Sequence, residues 1–384
     1  MFNLDNLKIE VWNFDISNIV IGVTIAETLF GLTKGSLAVK DGLNMFDKFI
    51  GSTLAPVTIT WTYLGRKHTA KFWMDGISNM EIDKNQKNYI IHIKSSHETN
   101  FIERLNGTFS GTSDEIIRDM FLEVSEDDAV LYRDSRADTE GRYIAPNITA
   151  RAAFKAIVNS AHDVEKSGFF LYQRFMDNNA LRLTSQNDML KNPLMNPHND
   201  PIRISNAVPD MNTTGVELAV GTGDSFNLIE YNMNFLQKLE KGVYGQAVSE
   251  IGLDETTKKD NLKHEDDATS VQTIKYKLSK KLYDNDVTSI FSDVGSVENT
   301  KMINKKFRVY NTSMNAAGII AVPYIGVGMT VELELGGGNV SYSKQDGPYL
   351  IATMQHKWTQ DGGNFAYYQD LGLVRPWMFH SEKL

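Results

Sequence analysis

Apolar and polar residues alternate through much of the first hundred positions, the period of a strand with one buried face. Leu7, Ile9 and Val11 form one row, and Ile19, Ile21, Val23 and Ile25 the next, continued by Leu37 and Val39. Val57, Ile59, Trp61 and Tyr63 follow, then Ala70, Phe72 and Met74, then Tyr89, Ile91 and Ile93. About six strands punctuated by Gly, Asn, Asp and Pro predict a small barrel or sandwich over residues 1–100. Closure would hide the edges of such a sheet.

The period then changes. Thr112 and Glu115 have capping-box spacing, and Ile116, Ile117, Met120, Phe121 and Val124 share one helical face, which predicts a helix near 113–124. Ala153, Phe154, Ile157, Val158 and Ala161 predict a second near 149–162. Residues 169–185 read as a hairpin turning at Asp177-Asn178-Asn179. Residues 101–202 are therefore expected to form a small α+β domain. Pro193, Pro197, Pro201 and Pro209 mark a loop or domain crossing, because proline denies a ladder its donors. A short helix is expected around Phe235, Leu236 and Leu239, and strand pattern returns at Val248 and Ile251, at Phe307 and Val309, and along Val327, Met329, Val331, Leu333 and Leu335. Gly336-Gly337-Gly338 makes a turn, and strands over 349–358 and 365–374 complete the pattern. Residues 203–252 with 303–374 thus predict a second, discontinuous β-barrel, interrupted by an excursion over 253–302 and followed by a tail, 375–384. Ten of the fourteen residues 254–267 are charged or His, so the excursion is expected to be exposed.

Composition narrows the function. The 384 residues carry 39 Lys and Arg against 48 Asp and Glu, a net charge of −9, which argues against a nucleic-acid-coating protein. The longest mostly apolar run, residues 318–329, is too short for a membrane helix, so no stable membrane insertion is expected. The first residues lack the basic start and apolar stretch of a secretory signal, which predicts cytoplasmic assembly. With no cysteine, disulfides, thiolate metal sites and thiol catalysis are excluded.

The catalytic and cofactor signatures fail one by one. His264 is followed by Ala268 where a zincin needs its second histidine, and His92 and His97 have opposite strand parity. Gly-Lys occurs nowhere, Phe226 replaces the third glycine of a dinucleotide loop, and Ser289 and Gly295 break a calcium loop begun at Asp284 and Asp286. No serine lies in a nucleophile elbow. Catalytic, cofactor-binding and metal residues are therefore none. The lysines at 275, 277, 280 and 281, and Lys305, Lys306 and Arg308, read as solvated faces. Trp358, Tyr367, Tyr368 and Trp377 suit a subunit interface or an aromatic core equally well. In the tail, Trp377 and Phe379 would need a partner to be buried.

Four stretches carry a resemblance to the baseplate central hub protein of contractile-tailed bacteriophages. Gly35-Ser36-Leu37-Ala38-Val39-Lys40-Asp41-Gly42 with Val57-Thr58-Ile59 resembles the early strands of that family's first barrel. Residues 149–157 leading to Ser167-Gly168-Phe169-Phe170-Leu171-Tyr172 are similar to its helix and hairpin. Residues 235–245 resemble a short helix entering a strand, and residues 328–333 with 347–356 resemble the closing strands of the second barrel. The resemblance implies a mainly β fold with two similar, tail-tube-like β-barrels and an α+β insertion. It also implies a homotrimeric ring adapting a six-fold tail tube to a trimeric membrane-piercing spike. Implied partners are the spike or tail-lysozyme protein, the tail tube or adjoining hub-ring proteins, and baseplate wedge proteins, with DNA passing through the channel without specific binding. The location implied is the virion baseplate, after assembly in the host cytoplasm, and the role needs no catalytic residue. Two alternatives stand beside it: a tail-associated peptidoglycan hydrolase using a carboxylate pair, and a peripheral receptor-binding baseplate protein.

Overall fold

The computed structural model describes residues 7–29, 31–45, 47, 54–63, 66–83, 86–125, 129–164, 167–191, 203–205, 217–219, 228–232, 247–251, 258–262, 287–291, 312–320, 325–334, 347–361 and 364–375. The N-terminal region is all strand: β1 (Lys8–Val11), β2 (Phe14–Asp15), β3 (Val20–Thr28), β4 (Lys34–Asp41), β5 (Pro56–Tyr63), β6 (Arg66–Asp83) and β7 (Gln86–Ser95). A mixed region follows, with α1 (His97–Ile102), β8 (Arg104–Thr112), α2 (Ser113–Val124), β9 (Leu131–Arg133), β10 (Glu140–Thr149), α3 (Ala150–Ser160), β11 (Phe169–Arg174), β12 (Ala180–Ser185) and α4 (Gln186–Lys191). The rest is again strand: β13 (Arg203–Ser205), β14 (Glu217–Ala219), β15 (Leu228–Asn232), β16 (Ala247–Ile251), β17 (Lys258–Leu262), β18 (Val287–Phe291), β19 (Thr312–Ile320), β20 (Thr330–Glu334), β21 (Gly347–Asp361) and β22 (Asn364–Arg375). The fold is mainly β with an α+β insertion.

Alternation in the first region does what it predicts. Ile9, Val11, Leu37, Val39, Val57, Ile59, Trp61, Phe72, Ile91 and Ile93 are buried in one core, joined by Trp358 and Tyr367 from the C-terminal strands. Each such large side chain contributes roughly 1.5–3 kcal/mol through lost apolar surface. Ile21 departs from its row: it is exposed while Val20 is buried, because a bulge between Val20 and Gly22 reverses the parity of β3 against β4. His97 is not on a strand at all; it opens α1, where it packs against Phe121 at 5.9 Å, while His92 stays on the exposed face of β7 beside Ser78.

In the mixed region α2 and α3 bury Ile116, Ile117, Met120, Phe121, Ala153, Phe154, Ile157 and Val158 against β11 and β12. The hairpin between those strands turns through Asn178 and Asn179 at φ 58° and 60°, a conformation asparagine tolerates better than most residues. Two features lie outside the predicted pattern. The ribbon of β8 and β10 is one, because Asn106, Gly107 and Gly111 interrupt any apolar alternation. The other is β9, which pairs parallel with β12.

The C-terminal pattern is corrected in two places. The strand read along 327–335 starts only at Thr330; Val327 and Met329 flank a turn in which Gly328 takes φ +81°. β16, expected in the second barrel, pairs with β17 and β18 from the charged excursion in a three-stranded sheet of its own. The four clustered prolines, the helix near 235–239, Phe307 and Val309, Gly336–Gly338, His264, both basic clusters and residues 376–384 lie outside the described residues.

Both β-regions share one sheet. β21 pairs along its first part with β20 and along its later part with β3, and β22 covers its other edge. The seam between β3 and β21 runs antiparallel from Thr28 with Thr353 to Gly22 with Thr359.

Candidate functional site

The three regions of the chain meet at one buried carboxylate. Alternation along β3 puts Val23, Ile25 and Glu27 on the inward face, so Glu27 is 2% exposed. Its Oε1 accepts the Phe175 N–H at 2.6 Å and His356 Nε2 at 2.9 Å, and its Oε2 accepts the Val327 N–H at 3.1 Å. One side chain from the first region therefore holds the end of the α+β hairpin, the turn before β20 and strand β21.

The hydrogen bonds continue from Glu27 through His356 to Tyr367 and Gln369. Gln369 Nε2 donates to Tyr367 Oη at 2.9 Å, that hydroxyl shares a hydrogen bond with His356 Nδ1 at 2.6 Å, and His356 Nε2 meets Glu27 on the other side of the ring. Arg174, 5% exposed, gives the loop a buried cation and donates from Nε to the Val327 carbonyl at 2.8 Å. A carboxylate removed from water needs such donors and a nearby cation. The joint is packed as tightly as it is bonded. Phe175 stacks on Trp61 at 4.4 Å and meets Trp358 edge-on at 5.7 Å. Gly328 fits under the Tyr172 ring only because it has no Cβ, which would collide with the hydroxyl.

A second set of bonds docks the hairpin turn on the first region. The Thr33 N–H donates to Gln173 Oε1 at 2.9 Å, the Thr69 N–H to Asn178 Oδ1 at 3.0 Å, and Asn179 Nδ2 to the Lys71 carbonyl at 3.1 Å. A cleft of about 670 Å³ lies beside this contact, between β5–β6 and the turn, with Lys67, Lys71, Trp73 and Tyr132 on its walls.

A Tyr–His–Glu chain has the parts of a proton relay. Here Tyr367, His356 and Glu27 are 6%, 0% and 2% exposed, and the arrangement works as a buried joint. Among the described residues no three His, Asp or Glu converge as a metal site would require. Trp358 and Tyr367 lie in the core and Tyr368 is 40% exposed. The sequence reading assigned nothing to Glu27 or His356. The available signal was polarity at an inward position: Glu27 continues the row of Val23 and Ile25, and His356 stands between Met354 and Trp358.

Opposite this joint the shared sheet has a face that no other element among the described residues covers. One row crosses five strands through Asp370, Gln355, Ala26, Lys34 and Lys94, and the next through Tyr368, Lys357, Thr24, Ser36 and His92. All ten are exposed or half-buried.

This architecture is that of known tail proteins. At 9% identity the tail protein from Neisseria meningitidis MC58 superposes with a TM-score of 0.58, covering 97% of both chains. The 43 kDa tail protein of prophage MuSo2 from Shewanella oneidensis gives 0.60 at 10% identity, over 96% of this chain and 98% of that one. A component of the type VI secretion system of E. coli, described as structurally similar to the T4 bacteriophage tail proteins gp27 and gp5, gives 0.50 at 8% identity, over 97% of this chain and 77% of that one. No protein-family model and no curated protein sequence matches the chain.

Proposed function

We propose that the chain is the central hub of a contractile-tail baseplate, a homotrimeric ring that adapts a six-fold tail tube to a trimeric membrane-piercing spike. The observation that supports this best is likeness over nearly full length to two tail proteins, one of them from a prophage, α+β region included. The shared sheet fits the role. Two β-regions joined edge to edge give each chain two wall segments, so three chains would supply six around one axis under cyclic symmetry. The spike and the tail tube are the expected partners, the virion baseplate the location after assembly in the host cytoplasm, and DNA the passenger. The role is structural: the chain has no enzymatic activity.

Mass measurement of the purified full chain, alone and with its spike protein, is expected to give a trimer or a three-to-three complex. A hexamer would overturn the adaptor mechanism. Release of muropeptides from purified cell walls would favour the hydrolase reading instead.

A further inference from the structure

The cleft beside the docked hairpin turn has a volume of about 670 Å³, within the range of ligand-binding clefts. Its two sides differ in chemistry. On one lies the outer face of β6, where alternation sends Ala70 and Phe72 into the core and leaves Lys67, Thr69, Lys71 and Trp73 outward. The two lysines are exposed and stand four residues apart on that face, about 13 Å along the strand. On the other side the α+β unit contributes Val130 and Tyr132, two large apolar side chains each 44% exposed.

Charge in the cleft is one-sided. Among the described residues Asp177 is the one carboxylate on its walls, and Arg182 holds it at 2.8 Å while also pairing with Asp134. The lysines therefore give the cleft a positive field in a chain of net charge −9. Both aromatic rings are set in place beforehand. Trp73 Nε1 donates to the Ser96 carbonyl at 3.1 Å, and the Arg182 guanidinium lies 4.8 Å from the centre of the Tyr132 ring. Preset rings lose little freedom on binding, and Trp and Tyr are favoured anchors at interfaces. β9 adds backbone groups: it is the end strand of its three-stranded sheet, so among the described strands one of its edges is unpaired.

We propose that this cleft binds an extended acidic segment of a partner protein, in which carboxylates alternate with apolar side chains. Successive side chains of an extended segment point to opposite faces, so one set reaches Lys67 and Lys71 while the other packs on Val130 and Tyr132. Carboxylates four residues apart in the segment match the two lysines, because segment and β6 share the rise of a strand. The unpaired edge of β9 offers the backbone hydrogen bonds of strand addition. An acidic polysaccharide would satisfy the lysines but lacks the alternation that uses both sides of the cleft. The proposal goes beyond the hub reading and does not rest on it.

The test uses the full chain and the fluorescein-labelled peptide Glu-Val-Glu-Val-Glu-Val-Glu, followed by fluorescence polarisation. Wild type is expected to bind it saturably, with affinity falling as salt screens the charges. A peptide of the same composition with its three valines grouped ahead of its four glutamates should bind several-fold more weakly. The double variant Lys67→Glu, Lys71→Glu is expected to lose the acidic peptide and to gain Lys-Val-Lys-Val-Lys-Val-Lys, a reversal that unfolding does not produce. Absence of binding by wild type, equal affinity for the two peptide orders, or unchanged affinity in the double variant overturns the proposal. Displacement of the peptide by an equal concentration of trigalacturonate would assign the cleft to acidic saccharides and overturn it as well. The hub reading is tested by the mass of the assembly, so either can fail while the other stands.

Discussion

Two joints hold the β-regions and the α+β unit together, and they are built on opposite principles. At the seam β3 and β21 pair backbone to backbone from Gly22–Thr359 to Thr28–Thr353, so the attachment is spread over many peptide groups that nearly any side chain can supply. At the second joint the load falls on few atoms: two oxygens of Glu27, the turn at Gly328 and the ring of Phe175. A distributed joint tolerates sequence drift and a concentrated one does not. This is one way a fold persists at 8–10% identity to its structural relatives.

The contrast is broken most directly at Glu27. Glu27→Ala leaves the Phe175 and Val327 N–H groups and His356 Nε2 without their acceptor in the interior. Each buried donor left without an acceptor costs about 1–3 kcal/mol, so the three together cost about 3 kcal/mol or more. Chemical denaturation should show a loss of that size, with faster hydrogen exchange in residues 169–185. A seam substitution such as Thr24→Val, on the half-exposed side, should change stability by about 0.5 kcal/mol or less. Equal losses from the two substitutions would abolish the distinction between the joints.

Gly328 is the next test. At φ +81° a side chain costs roughly 1–2 kcal/mol in backbone strain, and here a Cβ also meets the Tyr172 hydroxyl. Gly328→Ala should therefore lower stability by about 2 kcal/mol or more, measured by the same denaturation. A neutral result would mean that the turn before β20 yields, and that only the carboxylate carries the joint.

The two joints also differ in how far the sequence discloses them. The inward rows of β3 through β7 were legible because burial of one sheet face imposes a period of two, and Ile21 was misread because a bulge breaks that period without marking it in composition. The helices at Ser113–Val124 and Ala150–Ser160 were legible from caps and apolar spacing. Val327 and Met329 alternate as a strand does, yet they flank a turn marked locally by the glycines Gly326 and Gly328. Glu27 stands out as an acid in an apolar row, but its partners lie 148, 300 and 329 positions away. Pairing over such separations is set by the assembled sheet, and no local pattern encodes it.

The smallest expected effect lies away from both joints, in the capping of α2, and it checks whether the α+β unit keeps a stability of its own. Glu115 accepts the Thr112 N–H at 3.0 Å, closing the first turn of the helix. That backbone hydrogen bond, seconded by the Thr112 side chain and nearby Arg118 and Arg133, holds the Glu115 carboxyl below its usual range. A carboxyl depressed in the folded state stabilises the protein at pH values above the unfolded carboxylate range, near 4.3, and that stabilisation is lost as pH falls through the folded value. Glu115→Gln keeps an acceptor oxygen but loses the charge that favours a helix N-terminus. Wild type should therefore melt slightly higher than Glu115→Gln at pH 7, and the gap should close as the pH is lowered from about 5 to 3. Other carboxylates titrate in the same window, but they are common to both proteins and cancel in the difference. If the gap persists at pH 3, the charge of Glu115 is not what stabilises the cap, and the α+β unit draws its stability from its apolar core and from the Glu27 joint.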